Sequence, residues 1–246
     1  MLLDIVRKLQ KAVTGMGGSC VDWVLDIFFP RYCVGCGTYG KTLCLDCASK
    51  IAHIKTPLCP ECGRISAMGK FCVSCRRRTK TALTGLIVAT SYESGPIKEV
   101  IHHLKYTGMV ELASVLGELI CLCLGGNLPS GKLVVVPVPL HSIREKERGF
   151  NQSELIARYI SERLGLPGGL ALVRKRYTQP QVVLSREMRL QNITGAFMVA
   201  DGELVRNRVV LLVDDVATTA ATLNECARVL RQAGARQVWG VVAARG

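Results

Sequence analysis

Aromatic residues are scarce in this sequence: Phe, Trp and Tyr together make up 5% of its 246 residues. Few flat side chains are available to stack bases, so any contact with nucleic acid would be led by phosphates and would weaken as salt rises. Long apolar runs are missing too. No stretch approaches the ~18–20 residues needed to cross a bilayer as a helix, so no membrane insertion is expected. Residues 1–11 carry Asp4 and mix charged with apolar side chains. They lack the cationic flank and unbroken apolar core of a secretory signal, and the expected location is cytoplasmic. Acidic residues are few, 19 against 32 Lys and Arg, giving a formal net charge of +13. An anionic partner such as a phosphate compound or nucleic acid fits that balance. A basic surface kept for solubility is the plainer alternative.

Cysteine, by contrast, is abundant and unevenly placed. Eight of the twelve fall in two blocks, Cys33-x2-Cys36-x7-Cys44-x2-Cys47 and Cys59-x2-Cys62-x9-Cys72-x2-Cys75. Each Cys-x-x-Cys pair can form a knuckle, and two knuckles close a tetrahedral four-thiolate zinc site with Zn–S near ~2.3 Å. Gly37 and Gly63 follow the second cysteine of a knuckle, where a tight turn is required. Disulfides are the alternative, disfavoured because nothing points to secretion; iron–sulfur ligation is another. Two structural zinc ions are therefore expected; pairing of neighbours along the chain (33/36/44/47 and 59/62/72/75) is favoured over an interleaved arrangement, because each half then closes a short loop. Such sites supply folding energy on the order of 10–16 kcal/mol each. The remaining four (Cys20, Cys121, Cys123 and Cys226) are read as small buried hydrophobes. The run Arg76-Arg77-Arg78-Thr79-Lys80 is read as a linker, leaving a zinc-ribbon domain at 23–80 and a second domain at 81–246. The ribbons can be purely structural, or can grip a nucleic-acid strand with Arg76–Arg78 beside them.

The second domain alternates strands with helices. Strands are expected at 86–92, 133–136, 209–213 and 237–243, and helices at 97–106 and 110–124. A further helix starts after an Asn151 cap and runs to 164. Another carries Leu223, Cys226, Ala227 and Leu230 on one face and ends near Gly234. Continuous apolar strands such as 133–136 are those buried on both faces of a parallel sheet. The fold class is therefore α/β, a mainly parallel open sheet with right-handed crossovers and a small N-terminal zinc-ribbon domain.

The most informative segment joins the 209–213 strand to the next helix. Asp214 and Asp215 are expected at the strand's carboxyl end, where ligands gather in open α/β sheets. Val216, Ala217, Thr218, Thr219, Ala220, Ala221 and Thr222 then form a small, hydroxyl-rich loop leading into a helix N-terminus. That end offers free N–H groups and a positive dipole to an anion. The carboxylates can accept hydrogen bonds from a ribose diol while the loop surrounds its 5-phosphate. A helix cap with no ligand is the alternative.

This arrangement resembles the signature of type I phosphoribosyltransferases, two acids followed by x-x-Thr-Thr-Gly-x-Thr. Ala220 stands where glycine is usual; if that site needs positive φ, the strain is roughly 1–2 kcal/mol. Further segments extend the resemblance over residues 23–244, to the competence protein ComF family, also described as GntX-like or amidophosphoribosyltransferase-like. They are Phe29-Pro30, Lys105-Tyr106-x-Gly108, Pro137-Val138-Pro139-Leu140-His141 and Arg148-Gly149-Phe150-Asn151-Gln152. Gln181-x-x-Leu184-Ser185, Arg189-x-x-Asn192 and Gly195-Ala196-Phe197 complete the set. The resemblance implies phosphoribosyl pyrophosphate (PRPP) or a similar phosphosugar as ligand, Mg²⁺ accompanying the pyrophosphate, and a role in uptake or use of single-stranded DNA. Pentosyl transfer to a base or amine, with Asp214 and Asp215 in the catalytic centre, is the enzymatic alternative. The segment 137–141 would lie at the same sheet edge as Asp214. Arg144, Lys146 and Arg148 are expected in a polar loop that closes over pyrophosphate, or one that is simply solvated. Lys105 is either a site cation or an ordinary helix-end charge. Arg189 and Asn192 either line the site or pin the segment before Phe197.

Overall fold

Four apolar runs that read as strands lie side by side in a computed structural model of the protein, which describes residues 31–54, 56–125, 128–176 and 193–246. In chain order the elements are α1 (Leu45–Ser49), α2 (Val73–Thr79), β1 (Gly85–Ser91), α3 (Ile97–Tyr106) and α4 (Leu112–Leu124). They continue with β2 (Leu133–Pro137), α5 (Ser142–Arg148), α6 (Gln152–Leu164), β3 (Leu172–Arg174) and β4 (Phe197–Val199). β5 (Val209–Ala217), α7 (Ala221–Gln232) and β6 (Gln237–Arg245) complete the series. Cys20, Trp23, Phe29, Pro30, Gln181, Leu184, Ser185, Arg189 and Asn192, which figure in the reading above, lie outside the described residues.

The main sheet has the order β1-β6-β5-β2, and each neighbouring pair is parallel. β5 and β6 lie in the middle, which is why their sequences are apolar on both faces. Alternate residues serve two cores. Val209, Leu211 and Val213 join the cluster made with α3, α4 and α6. Val210 and Leu212 join the one made with α7 and the antiparallel pair β3–β4. α4 is wedged between α3, α6 and the sheet; its Leu112, Leu116, Leu119 and Ile120 are fully enclosed, and it is apolar nearly all round for that reason.

Three expectations are corrected. β5 does not stop at Val213 but runs to Ala217, because β6 keeps offering ladder partners as far as Arg245. Arg76, Arg77 and Arg78 form the last turn of helix α2 rather than a linker; their charges suit the negative end of its dipole. Arg144, Lys146 and Arg148 likewise sit on a helix, α5, capped by the side chain of His141 and closed by Gly149 in the left-handed conformation.

The cysteine blocks fold as two ribbons of the same design. In each tetrad the four Sγ atoms lie within 4.8 Å of one another, pairing Cys33, Cys36, Cys44 and Cys47 in one and Cys59, Cys62, Cys72 and Cys75 in the other. The backbone N–H of Cys44 points at Cys33 Sγ (3.3 Å) and that of Cys72 at Cys59 Sγ (3.4 Å). Gly37 and Gly63 take the positive φ their turns need. N–H groups aimed at sulfur favour thiolates, and four thiolates at this spacing fit a closed structural Zn²⁺ site.

The ribbons are built onto the sheet rather than hung beside it. Cys33, Leu43, Cys47, Ala48 and Ile51 belong to the same buried cluster as α3 and α4. The open edge of β1 is covered by bridges from His53 to Thr90 and from Lys70 to Gly85, with Ile54 N donating to Ala89 O (3.0 Å). Covering an edge strand in this way removes a template for aggregation. Metal analysis should therefore return two zinc ions per chain. Chelation should lower the melting temperature and speed amide exchange along β1 and α3. Unchanged melting after complete metal removal would contradict the shared core.

Candidate functional site

β2 ends at Pro137, opposite Val213, while β5 continues. Past that point the β5 edge is free of β2, at the carboxyl end of the sheet, where open α/β folds form their ligand crevice. Val138 N still donates to Val213 O (2.9 Å), so the turn at 137–141 crosses directly before Asp214, as expected. Asn151 then fixes the next wall. Its side-chain amide donates to Val138 O (3.1 Å) and its Oδ1 accepts from Ser153 N (3.1 Å), which starts α6 over the crevice.

The two acids, as neighbours in a strand, face opposite sides of the sheet. Asp215 is buried and forms an ion pair with Lys105 from the last turn of α3. Burial opposes the lysine's charge, but Asp215 outweighs it and keeps Lys105 above its ordinary range. Asp214 accepts a hydrogen bond from Ser153 Oγ (2.8 Å) and from the N–H of Asp215 (3.0 Å). Burial, then the neighbouring charge of Asp215, push its carboxyl up to about 7, against the smaller help of Ser153 and Lys105. A carboxyl shifted by burial and a neighbouring charge at this end of the sheet is a candidate functional group.

Beyond Ala217 the chain turns into α7. Ala220 occupies the N-cap position with φ 56° and ψ 18°, and no side chain caps the helix. The left-handed strain foreseen for an alanine here is therefore present. Thr219 Oγ1 is buried and has no hydrogen-bond partner among the described residues. A buried hydroxyl without a partner beside an uncapped helix of twelve residues suits an anion accepting from both.

Arg148 extends from α5 toward the same place. It donates to Gln152, lies over the ring of Tyr106 at 5.7 Å, and feels the charge of Asp215. Arg144 is half-buried on the same helix. Three residues were not legible as site members. Ser153 gives no signal beyond following the Asn151 cap. Tyr106 is visible only as the neighbour of Lys105. Arg174 comes from β3, where its guanidinium stacks on Phe197 at 5.4 Å and faces the charges of Arg144 and Asp214. Its short strand has no periodicity to announce it. The segment before Phe197 is pinned by Glu225, which accepts from Gly195 N (2.8 Å). Cys121 and Cys226 are buried in the cores and Cys123 half-buried, as expected of small hydrophobes; burial holds the Cys226 thiol well above its ordinary range. No helix among the described residues is long and apolar enough to cross a membrane.

Comparison with known proteins agrees with this layout. A double zinc ribbon domain model matches residues 24–76, and a phosphoribosyl transferase domain model matches residues 150–246. Competence protein F of Haemophilus influenzae is 31% identical over 231 residues, covering 88% of this chain and 99% of that protein. The chain belongs to the competence protein F family. DNA utilization protein YhgH of Escherichia coli K12 is 34% identical over 209 residues, 80% of this chain and 88% of its own length. Competence protein ComFC of Bacillus subtilis is 29% identical over 198 residues, 79% and 80% of the two chains. In this family member the phosphoribosyl transferase match takes in Ser153, both acids and the whole threonine loop, while Lys105 and Tyr106 lie outside it.

Two measurements test the electrostatics. An acid whose folded pKa is raised loses stability as pH climbs from its unfolded value, near 3.8, to about 7. Asp214→Asn keeps an acceptor for Ser153 and should flatten that decline, melting higher than wild type above pH 7; a parallel pH profile would contradict the buried acid. Ala220→Gly should relieve left-handed strain of roughly 1–2 kcal/mol and raise the melting temperature. A lowered one would show that the strain is not felt.

Proposed function

We propose that the crevice at Asp214–Thr222 binds PRPP or a related ribose 5-phosphate, in a protein concerned with DNA uptake or utilisation. The observation that carries this reading is the conjunction of a half-buried carboxyl pushed up to about 7 with the orphan Thr219 hydroxyl at an uncapped helix start. Asp214 accepts hydrogen bonds from the ribose diol, and the amides of the α7 N-terminus with Thr218, Thr219 and Thr222 receive the 5-phosphate. Lys105 pairs with Asp215 and adds positive charge, while Arg144 and Arg148 face the pyrophosphate. Catalysis, if transfer occurs, rests on positioning and charge neutralisation, with no protein nucleophile. Mg²⁺ bound together with a pyrophosphate ligand would be held by Asp214, since Asp215 is engaged by Lys105, and would supply charge neutralisation.

The role in DNA handling rests on the names of the relatives. The exposed Arg76, Arg77 and Arg78 on α2 are the side chains best placed to contact single-stranded DNA, through phosphates and with strong salt dependence. Calorimetry with PRPP tests the site itself. Wild type should bind, with affinity rising as pH climbs through 7 and Asp214 ionises. Thr219→Val should weaken binding about tenfold, the scale of one hydrogen bond to a charged group. No binding to wild type at any pH would overturn the site. Pyrophosphate release in the presence of bases, amines or DNA ends would favour transfer over binding alone.

A further inference from the structure

The two ribbons share a hairpin but not the side chains on it. In the first, Cys33 N donates to Thr38 O (2.8 Å), Gly37 N to Cys33 O (2.8 Å), and Tyr32 bridges Tyr39 across the turn. In the second, Cys59 N donates to Arg64 O (2.7 Å), Gly63 N to Cys59 O (3.0 Å), and Leu58 bridges Ile65. The same backbone is thus closed by an aliphatic pair, so the fold makes no demand for aromatics at 32 and 39. Yet two of the chain's six tyrosines stand there, 53% and 62% exposed.

Cross-strand partners meet on one face, and these rings are set edge to face, with centroids 5.9 Å apart at 71°. In that geometry each ring keeps at least one face clear of the other. There is room beside them. Gly35, Cys36, Gly37, Thr38 and Gly40 are all exposed, and a Cβ at Gly37 or Gly40 would meet nothing within 4 Å among the described residues. Two rings among small and polar residues do not make the broad apolar patch that a protein partner covers. They offer flat faces to a flat ligand. The charges agree: Arg31 and Lys41 flank the pair, and residues 31–45 contain no Asp or Glu. The two cations balance the net negative charge of a four-thiolate zinc site, so a phosphate chain is not repelled.

We propose that Tyr32 and Tyr39 form a base-stacking site on the first ribbon for single-stranded nucleic acid, whose unpaired bases have their faces free. The inference rests on the DNA-handling reading and adds a second contact to it: Arg76, Arg77 and Arg78 on the second ribbon meet phosphates, and the tyrosines meet bases. Stacking involves no counterion release, so this contribution resists salt where that of the arginines weakens.

Fluorescence anisotropy of the full, zinc-loaded chain tests this with oligothymidine, oligouridine, a DNA duplex and an abasic DNA strand of equal length. Wild type should bind oligothymidine more tightly than the duplex or the abasic strand. Tyr32→Leu/Tyr39→Ile, which copies the second ribbon, should keep its zinc and its melting temperature. It should lose about tenfold on oligothymidine, the scale of one base stack, at low and high salt alike, and nothing on the abasic strand. Tyr32→Phe/Tyr39→Phe should bind as wild type does. Should the first variant lose zinc, Tyr39→Leu alone carries the same test. An equal loss on oligouridine assigns the site to DNA and RNA alike; a loss on oligothymidine alone assigns it to DNA. Equal wild-type affinity for oligothymidine and the abasic strand, or oligothymidine binding unmoved in the zinc-loaded variant, overturns the stacking site. If Arg76→Gln/Arg77→Gln still weakens binding in that case, the phosphate contact stands. No binding of wild type to any strand removes both.

Discussion

Two carboxylates on consecutive residues of a buried strand are an unstable arrangement unless something neutralises them, and the carboxyl end of this sheet is organised by that constraint. Asp215 is matched by Lys105 from α3. Asp214 has a hydroxyl and a backbone amide but, among the described residues, no ion-pair partner of its own, and burial with the charge of Asp215 pushes its carboxyl up to about 7. Each acid is thus answered by a different helix, and the crevice exists because α3 and α6 both converge on β5. Removing the partner of a buried charge costs about 3–5 kcal/mol in typical cases. Lys105 is therefore a condition of the fold at the carboxyl end of the sheet.

That dependence reaches the zinc ribbons. α3 packs with Cys33, Leu43, Cys47 and Ile51 in one core. Gly95, just before it, lies so close to Lys50 O that a side chain there would clash at 2.8 Å. Thiolates that never approach the crevice thus help position the helix that delivers Lys105 and Tyr106. Zinc contributes here by folding the module against which the sheet edge and α3 are laid, rather than by chemistry. The basic residues of α2 are carried on the same module, which puts an exposed basic surface and the candidate site on one connected framework.

Much of this was legible in the residues. The Cys-x-x-Cys spacing predicts four-thiolate sites and favours neighbouring pairs over interleaved ones, because each half then closes a short loop; the two tetrads are grouped that way. Buried strands are announced by unbroken apolar runs, and α6 by its asparagine cap. Asp214, Asp215 and the threonines stand out since adjacent acids before small hydroxyl residues have no packing rationale. The misses share a physical cause. Arg144 and Arg148 read as loop because a seven-residue helix is too short for periodicity to show. β5 reads as ending early because acids are poor strand formers, and only the β6 ladder keeps them extended. Ser153, Arg174 and Tyr106 become site residues through tertiary contacts between distant segments, which no local pattern encodes.

The central claim, that a near-neutral Asp214 forms one wall of a ribose-phosphate crevice, is tested most directly by following the aspartate carboxyl carbons by NMR across a pH titration, with and without ribose 5-phosphate. The account predicts one carboxyl titrating near pH 7, absent in Asp214→Asn, whose titration moves when the ligand is added. Aspartates that all titrate in the ordinary acidic range, with no response to the ligand, would contradict it.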